Sequence, residues 1–114
     1  MPHAGLMDEK TLGPVEGPRQ RARLHIRGGK RRLRQGKISA GIVTLYDALE
    51  AAMWSYVEDV EKKRGLDLRE GEDLNDDAIL YRLLVRSEVL DGKFDFDAFD
   101  QLTEKALREE MPGF

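Results

Sequence analysis

The stretch that decides the fold is KISAGIVTLYDALEAAMWSYVEDVEKK, residues 37–63. Placed at about 100° per residue, its larger apolar side chains fall within one stripe, which is typical of a helix with a buried face. The members of this stripe are Ile38, Ile42, Leu45, Leu49, Ala52, Met53, Tyr56 and Val60. The spacing predicts one long central helix over residues 38–63.

Two further lines of residues run along the same helix. One consists of small side chains, which predicts close approach of a second helix: Gly41, Thr44, Ala48, Ala51 and Ser55. The other lies opposite the apolar stripe and mixes apolar with acidic residues: Val43, Asp47, Glu50 and Trp54. Tryptophan is a frequent interface anchor, so either a neighbouring helix or a second copy of the chain covers this line. Val43, Glu50 and Trp54 are the candidate oligomer-interface residues.

The residues before the central helix divide at Arg19. Residues 1–18 contain three glycines and three prolines with little apolar periodicity, which predicts a flexible N-terminal segment. Residues 19–35 are predicted to be helical, with a break or kink at Gly28-Gly29, because two glycines each cost about 1 kcal/mol in a helix. Gly36 is predicted to end this helix in the left-handed conformation.

Two shorter helices are predicted after the central one. The first has Asn75 or Asp73 as its cap and is stopped by Asp91-Gly92; its apolar face consists of Ile79, Leu80, Leu83, Leu84 and Leu90. The second starts at Asp95 as N-cap, with Phe94 and Phe99 in the positions of a hydrophobic staple. It continues to Met111, where Pro112 prevents extension.

These elements predict an all-α fold, a four-helix up-and-down-type bundle organised on the helix at 38–63. Residues 19–111 form a single helical-bundle domain, and residues 112–114 form a short C-terminal tail. The chain has 114 residues, enough for one hydrophobic core.

Composition excludes several classes of function. The chain has no cysteine, which excludes a disulfide framework, a cysteine-ligated zinc site and a thiol nucleophile, and which is typical of a reducing compartment. No apolar run approaches the roughly 18 residues that span a bilayer, and no signal-peptide core follows Met1. We therefore expect a cytoplasmic protein without a membrane partner.

Charge is distributed unevenly along the chain. Residues 19–37 hold nine basic side chains and no acidic one, a charge of +9, whereas residues 47–114 carry −10. A basic patch attracts phosphates, so the candidate nucleic-acid or anion-binding residues are Lys30, Arg31, Arg32, Arg34 and Lys37. No aromatic residue is interleaved with them to stack on bases. The alternative is that this basic segment pairs with the acidic half of its own chain or with a partner subunit.

No motif predicts a catalytic, metal or cofactor site. Gly36-Lys37 lacks the other residues of a phosphate-binding loop, because Arg31 stands where that loop needs glycine and Ile38 where it needs Ser or Thr. DGKFDFDAF, residues 91–99, echoes part of an EF-hand, but the aspartates fit better as helix caps. The two histidines, His3 and His25, do not form a metal site. We therefore expect no cofactor and no metal.

The order of features in RRLRQGKISAGIVTLYDALEAAM, residues 31–53, resembles HEPN-type helical domains. These features are a charged helix, a glycine-centred turn and a second helix with a tyrosine and an Ala-Leu-Glu-Ala run. The resemblance spans residues 20–108 and implies a four-helix domain that dimerises, found beside nucleotidyltransferases or as a ribonuclease toxin. Ribonuclease members carry Arg, four to six residues, then His near the last helix, and this motif is absent there. Arg19 and His25 have that separation but lie in the first helix.

Three functions remain as hypotheses. The leading one is a non-enzymatic interaction or assembly module, a homodimer that uses the long helix. The second is a nucleic-acid-binding accessory protein that uses residues 19–37. The third is an HEPN-like ribonuclease with Arg19 and His25.

Overall fold

A computed structural model describes residues 9–108 of the chain, with side chains from Thr11 onward. Five helices make up this part: α1 (Glu9–Arg34), α2 (Ile38–Glu58), α3 (Val60–Arg64), α4 (Asp77–Arg86) and α5 (Phe96–Leu107). Within residues 9–108 there is no strand, so the all-α prediction is confirmed. The predictions for residues 1–8, for the helix end at 109–111 and for the tail at 112–114 lie outside the described residues.

Helix α1 begins at Glu9, ten residues before the predicted start at Arg19. The chain bends at Gly13, whose φ of 90° is in the region that favours glycine. Pro14 follows directly, in the first position of the straight part, where a missing N–H costs nothing. The glycines and prolines of this segment therefore shape the entry to a helix.

The predicted break at Gly28-Gly29 is wrong, because α1 runs through both residues to Arg34. Both glycines are buried. A Cβ atom at Gly29 would lie 2.6 Å from Cγ of Leu45 and 3.2 Å from the carbonyl oxygen of Gly41, so only glycine lets the two helices come this close. Tertiary packing thus outweighs the intrinsic helix propensity of glycine, which is about 1 kcal/mol below that of alanine.

The turn between α1 and α2 follows the prediction for Gly36. This residue has φ of 79°, and the N–H of Lys37 donates to the carbonyl of Arg32 at 2.9 Å while the N–H of Gly36 donates to that of Leu33 at 3.1 Å. This pair of hydrogen bonds is the Schellman motif, which satisfies the last carbonyls of a helix. It turns the chain back so that α2 packs along α1.

The predicted helix over residues 38–63 is divided at Asp59. Its backbone is extended there, with ψ of 113°, and its carboxylate accepts hydrogen bonds from the N–H groups of Glu61 (3.1 Å) and Lys62 (3.3 Å). An aspartate in this position caps a new helix and ends the old one. The chain therefore has a 21-residue α2 followed by the five-residue α3.

Helix α2 is central, because it contacts each of the other four helices. Among the described helices α1 contacts α2 alone, whereas α4 and α5 also contact each other. The molecule is thus a helical hairpin with a smaller α4–α5 unit on α2, and the predicted four-helix bundle is not reproduced in this detail. The small-residue line of α2 provides the close contact: Gly41, Ala48, Ala51 and Ser55 are buried.

The hydrophobic core lies between α2, α4 and α5. Its buried members are Met53, Val57, Leu80, Tyr81, Leu84 and Phe96. Each fully buried leucine contributes about 1.5–3 kcal/mol. Only Ile42 and Met53 of the predicted apolar stripe are buried, and Ala52 and Val60 are exposed. The apolar stripe of α2 therefore does not face a single core along its whole length.

The last two helices follow their local signals in part. Asp76 caps α4, not Asn75 or Asp73, and α4 ends at Arg86, before the predicted stop. Asp95 caps α5 as predicted, because its carboxylate accepts a hydrogen bond from the N–H of Ala98 at 3.0 Å. The rings of Phe94 and Phe99 lie 5.6 Å apart, which confirms the staple.

Candidate functional site

The exposed face of α1 carries a line of cations. Spacings of three or four residues place side chains on the same face of a helix. We call this line the basic stripe; its members are Arg23, Arg27, Lys30, Arg31 and Arg34, and all are exposed. None of them forms an ion pair with a carboxylate of the described residues, and Arg23 donates to Gln20 at 3.4 Å. The stripe therefore presents its charge to solvent.

Other basic residues of the segment point elsewhere. Arg19 pairs with Glu16 at 2.5 Å, and Arg21 Nε lies 3.6 Å from Oδ2 of Asp47 on α2. Nδ1 of His25 also contacts Oδ2 of Asp47. The prediction that the basic segment pairs with its own acidic half therefore holds for Arg21 and His25 but not for the basic stripe.

The structure separates the predicted anion-binding set into different environments. Lys30, Arg31 and Arg34 belong to the basic stripe, and Lys37 is exposed in the turn that precedes α2. Arg32 is half-buried, with its guanidinium beside Gly28. Sequence reasoning missed Arg23 and Arg27, although counting back from Arg34 in helical steps would have found them.

A second polar site lies on the opposite side of α2, in a groove between α2 and α5. The groove has a volume of about 240 Å³ and is lined by Val43, Tyr46, Asp47, Glu50, Asp100, Thr103, Glu104 and Leu107. The hydroxyl of Tyr46 lies 3.1 Å from Oδ2 of Asp77 and 3.0 Å from Oδ1 of Asp100. We call Asp47, Glu50, Asp77 and Asp100, the acidic residues in and beside this groove that interact with Tyr46 or with one another, the carboxyl cluster.

The electrostatics of the carboxyl cluster favour the protonated forms of Glu50 and Tyr46. A hydrogen bond with Asp77, burial and the charges of Asp77 and Asp47 raise the pKa of Glu50 to about 7, against a lowering by Arg21. Burial and the neighbouring carboxylates also raise the pKa of Tyr46 far above its ordinary value. A carboxylate resists a second negative charge in a partly desolvated site. The cluster therefore holds a proton where isolated carboxylates would not.

The predicted interface residues face their own chain. Trp54 is half-buried and packs against the hydrophobic core, and Val43 and Glu50 line the groove that α5 closes. Of this groove, Leu107 is the large apolar side chain left open to solvent, 55% exposed. Helix α5 of the same chain thus lies beside Val43 and Glu50, two residues of the line for which a neighbouring helix and a second copy were the alternatives.

The remaining motifs lie apart from one another in the described part of the chain. Arg19 and His25 have different partners, Glu16 and Asp47. Asp91 accepts a hydrogen bond from the N–H of Lys93 at 2.9 Å, Asp95 caps α5, and Asp97 lies in the first turn of α5. Within the described residues no group of three or more histidine or acidic side chains is arranged to hold a metal ion.

Comparison with models of known protein families, with curated proteins and with solved structures finds no match for this chain. None of the helices among residues 9–108 combines the length and apolar character needed to cross a bilayer. Physical features of the two surfaces are therefore the basis for a functional assignment.

Proposed function

We propose that the chain binds nucleic acid without sequence specificity, through contacts between the basic stripe of α1 and backbone phosphates. The observation that carries this proposal is that five exposed cations share one helix face and none has a carboxylate partner in the described part of the chain. A carboxylate partner would neutralise such a face. Unpartnered cations instead release counterions from the phosphate backbone when they bind it.

The dimensions of the basic stripe suit a duplex backbone. From Arg23 to Arg34 the helix rises by roughly 16 Å, at about 1.5 Å per residue. Double-stranded DNA carries one phosphate per about 1.7 Å of its axis, so several phosphates lie within reach of this length. The charge of −10 over residues 47–114 would be repelled by the duplex and so orient the approach of the chain.

Two observations favour a duplex over the other polyanions. Residues 19–37 contain no aromatic side chain, so they offer no platform for unstacked bases. The glycine-lined side of α1 is packed against α2, so it is not available to enter a lipid surface. Backbone contacts to double-stranded DNA or RNA remain the best match.

Fluorescence anisotropy with a labelled duplex tests the proposal. At low salt we expect binding whose log K falls against log salt with a slope of about −4 to −5, because five contacts each contribute about −0.9. Arg27→Glu with Lys30→Glu and Arg34→Glu should abolish it. Failure of the unaltered protein to bind at low salt would refute the proposal.

A control variant with the same change of charge is available on α3. Lys62→Glu with Lys63→Glu and Arg64→Glu alters three exposed cations beyond the far end of α2, and its affinity should stay close to that of the unaltered protein. Equal loss in both variants would show that only total charge matters. Binding to anionic vesicles but not to duplexes would overturn the assignment to nucleic acid.

Homodimeric assembly is a second proposal, supported by the exposure of Leu107 beside Val43 at the groove. A dimer that covers this point should dissociate when Leu107 is changed to Glu, because a charge would then be buried in the interface. Light scattering at low and high salt measures the state, and a strict monomer in both would remove the proposal.

An HEPN-like ribonuclease is the third proposal and rests on the spacing of Arg19 and His25 in the sequence. His25 would act as the proton carrier and Arg19 as the phosphate contact. His25→Ala should then abolish RNA cleavage. Absence of cleavage by the unaltered protein would eliminate it.

A further inference from the structure

The hydroxyl of Tyr46 joins three helices with a single proton. Tyr46 belongs to α2, Asp77 to the first turn of α4, and Asp100 to α5. A phenol has only one hydrogen to donate, yet both carboxylates lie within hydrogen-bonding distance, at 3.1 and 3.0 Å. If all the carboxyl groups were ionised, the cluster would contain more acceptors than protons.

A further carboxyl group, that of Glu50, lines the same groove. Oδ1 of Asp77 is buried and accepts no hydrogen bond from an N–H or hydroxyl donor of the described residues. The carboxyl group of Glu50, one turn beyond Tyr46 on α2, lines the same groove as Tyr46 and Asp100, and its interaction with Asp77 raises its pKa. Two carboxyl groups can share a hydrogen bond only when one of them is protonated. A protonated Glu50 would therefore give the buried Oδ1 of Asp77 a donor.

Charged groups from each neighbouring helix face Glu50. Asp47 of α2 and Asp77 of α4 oppose its ionisation, while Arg21 of α1 favours it and also lies near Asp47. Asp100 and Glu104 of α5 line the same groove, and His25 of α1 contacts Asp47. Negative groups outnumber positive ones on the α4–α5 side, so loss of the shared proton leaves repulsion across that contact.

We propose that Tyr46, Glu50, Asp77 and Asp100 form a pH-sensitive latch that holds α4 and α5 on α2. Below neutral pH the proton between Glu50 and Asp77 closes the latch. Above neutral pH the carboxylates repel, the α4–α5 unit loosens, and the groove beside Val43 widens. Helix α1, which contacts α2 alone among the described helices, is not held by the latch and keeps its position.

The stabilising contribution of Glu50 decreases as pH rises. The pKa of Glu50 rises from an ordinary 4.5 to about 7 in the folded protein, so its contribution is fully present below the ordinary value. The contribution is lost as pH rises through the folded value. Between about pH 6 and about pH 8, opening should therefore become up to about tenfold more frequent, since opening returns Glu50 to its ordinary pKa.

Hydrogen exchange of the backbone amides, corrected for intrinsic rates, tests the latch at these two pH values. In the unaltered protein, protection of α4 and α5 should fall up to about tenfold at the higher pH, while protection of α1 changes little. In Glu50→Gln the amide donates permanently to Asp77, so protection of α4 and α5 should be independent of pH. Asp77→Asn should also remove the dependence, because its amide can donate to ionised Glu50.

Glu104→Gln is the matched control, since it removes one carboxylate from the same groove without touching the Glu50–Asp77 pair. It should keep the pH dependence of the unaltered protein. The proposal is overturned if Glu50→Gln keeps that dependence, or if exchange rises equally in all helices. A carbon-13 NMR titration of Glu50 with an ordinary pKa would overturn it as well.

Discussion

Two adjacent glycines on α1 should respond in opposite directions to the same substitution. Gly29 lies where α1 and α2 come close together: an added Cβ would be 2.6 Å from Cγ of Leu45 and 2.7 Å from its Cδ2. An added Cβ at Gly28 would meet Nη1 of Arg32 at 2.7 Å, which is the far end of a flexible side chain, and then Cγ2 of Thr44 at 3.9 Å. Gly28→Ala therefore needs only a rotamer change.

The magnitudes follow from two opposing terms. Alanine is better than glycine within a helix by about 1 kcal/mol, and this gain applies at both positions. Overpacking costs about 1–3 kcal/mol, and it applies at Gly29, where Leu45 and the carbonyl of Gly41 must move. We expect Gly28→Ala to raise the free energy of unfolding by about 0.5–1 kcal/mol. Gly29→Ala should lower it by about 1 kcal/mol, or roughly 4 °C in Tm.

Urea denaturation followed by far-UV circular dichroism measures both values, with unchanged m-values as the sign that the unfolded state is the same. A double-mutant cycle with Leu45→Ala then identifies the clash. Because the smaller side chain makes room for the new methyl group, Gly29→Ala with Leu45→Ala should lose less stability than the sum of the single changes. If Gly29→Ala proves as stable as Gly28→Ala, the close approach of α1 and α2 is refuted.

Three further predictions concern single side chains. Tyr46→Phe removes the donor to Asp77 and should cost about 1–2 kcal/mol in urea denaturation, whereas a cost near zero would refute the role of the hydroxyl. Arg86 donates a hydrogen bond to Glu72 at 2.6 Å and lowers the pKa of Glu72. The contact therefore stabilises the fold at pH values above the ordinary pKa of glutamate, and this stabilisation is lost as pH falls through the lowered pKa. Arg86→Met should therefore flatten the acid side of the stability profile, and an unchanged profile would count against the contact. Lys37→Asp gives α2 the side-chain cap that it lacks, and should raise stability by about 0.5–1 kcal/mol while weakening duplex binding; lower stability would contradict this reasoning.

Local signals located most of the helices. Gly36 ends α1 and Asp95 starts α5 because a left-handed glycine and a capping carboxylate act within a few residues of the chain. The sequence does not distinguish between neighbouring N-cap candidates for α4, since Asp73, Asn75 and Asp76 all have side chains that can cap a helix. The start of α1 was placed late because the proline and glycine content of residues 9–18 masks a helix with a bend at Gly13.

The two polar sites differ in how far the sequence could reveal them. The basic stripe follows from helical spacing within one segment, so counting residues is enough to find it once α1 is taken as continuous. The carboxyl cluster brings Tyr46 and Glu50 together with Asp77 and Asp100. Asp77 is 31 residues and Asp100 is 54 residues after Tyr46 in the sequence. No local pattern specifies such a meeting.

By itself the sequence determined the all-α class, the central place of α2 and the separation of a basic first helix from an acidic remainder. These depend on periodicity and charge, which need no partner to be recognised. Only the tertiary structure decided that Gly28-Gly29 is a contact and not a break. It also decided that Trp54 packs on its own core and that carboxylates of Asp77 and Asp100 meet at the hydroxyl of Tyr46. Each of these depends on which surfaces the chain brings together, and burial there outweighs the local preferences of the residues involved.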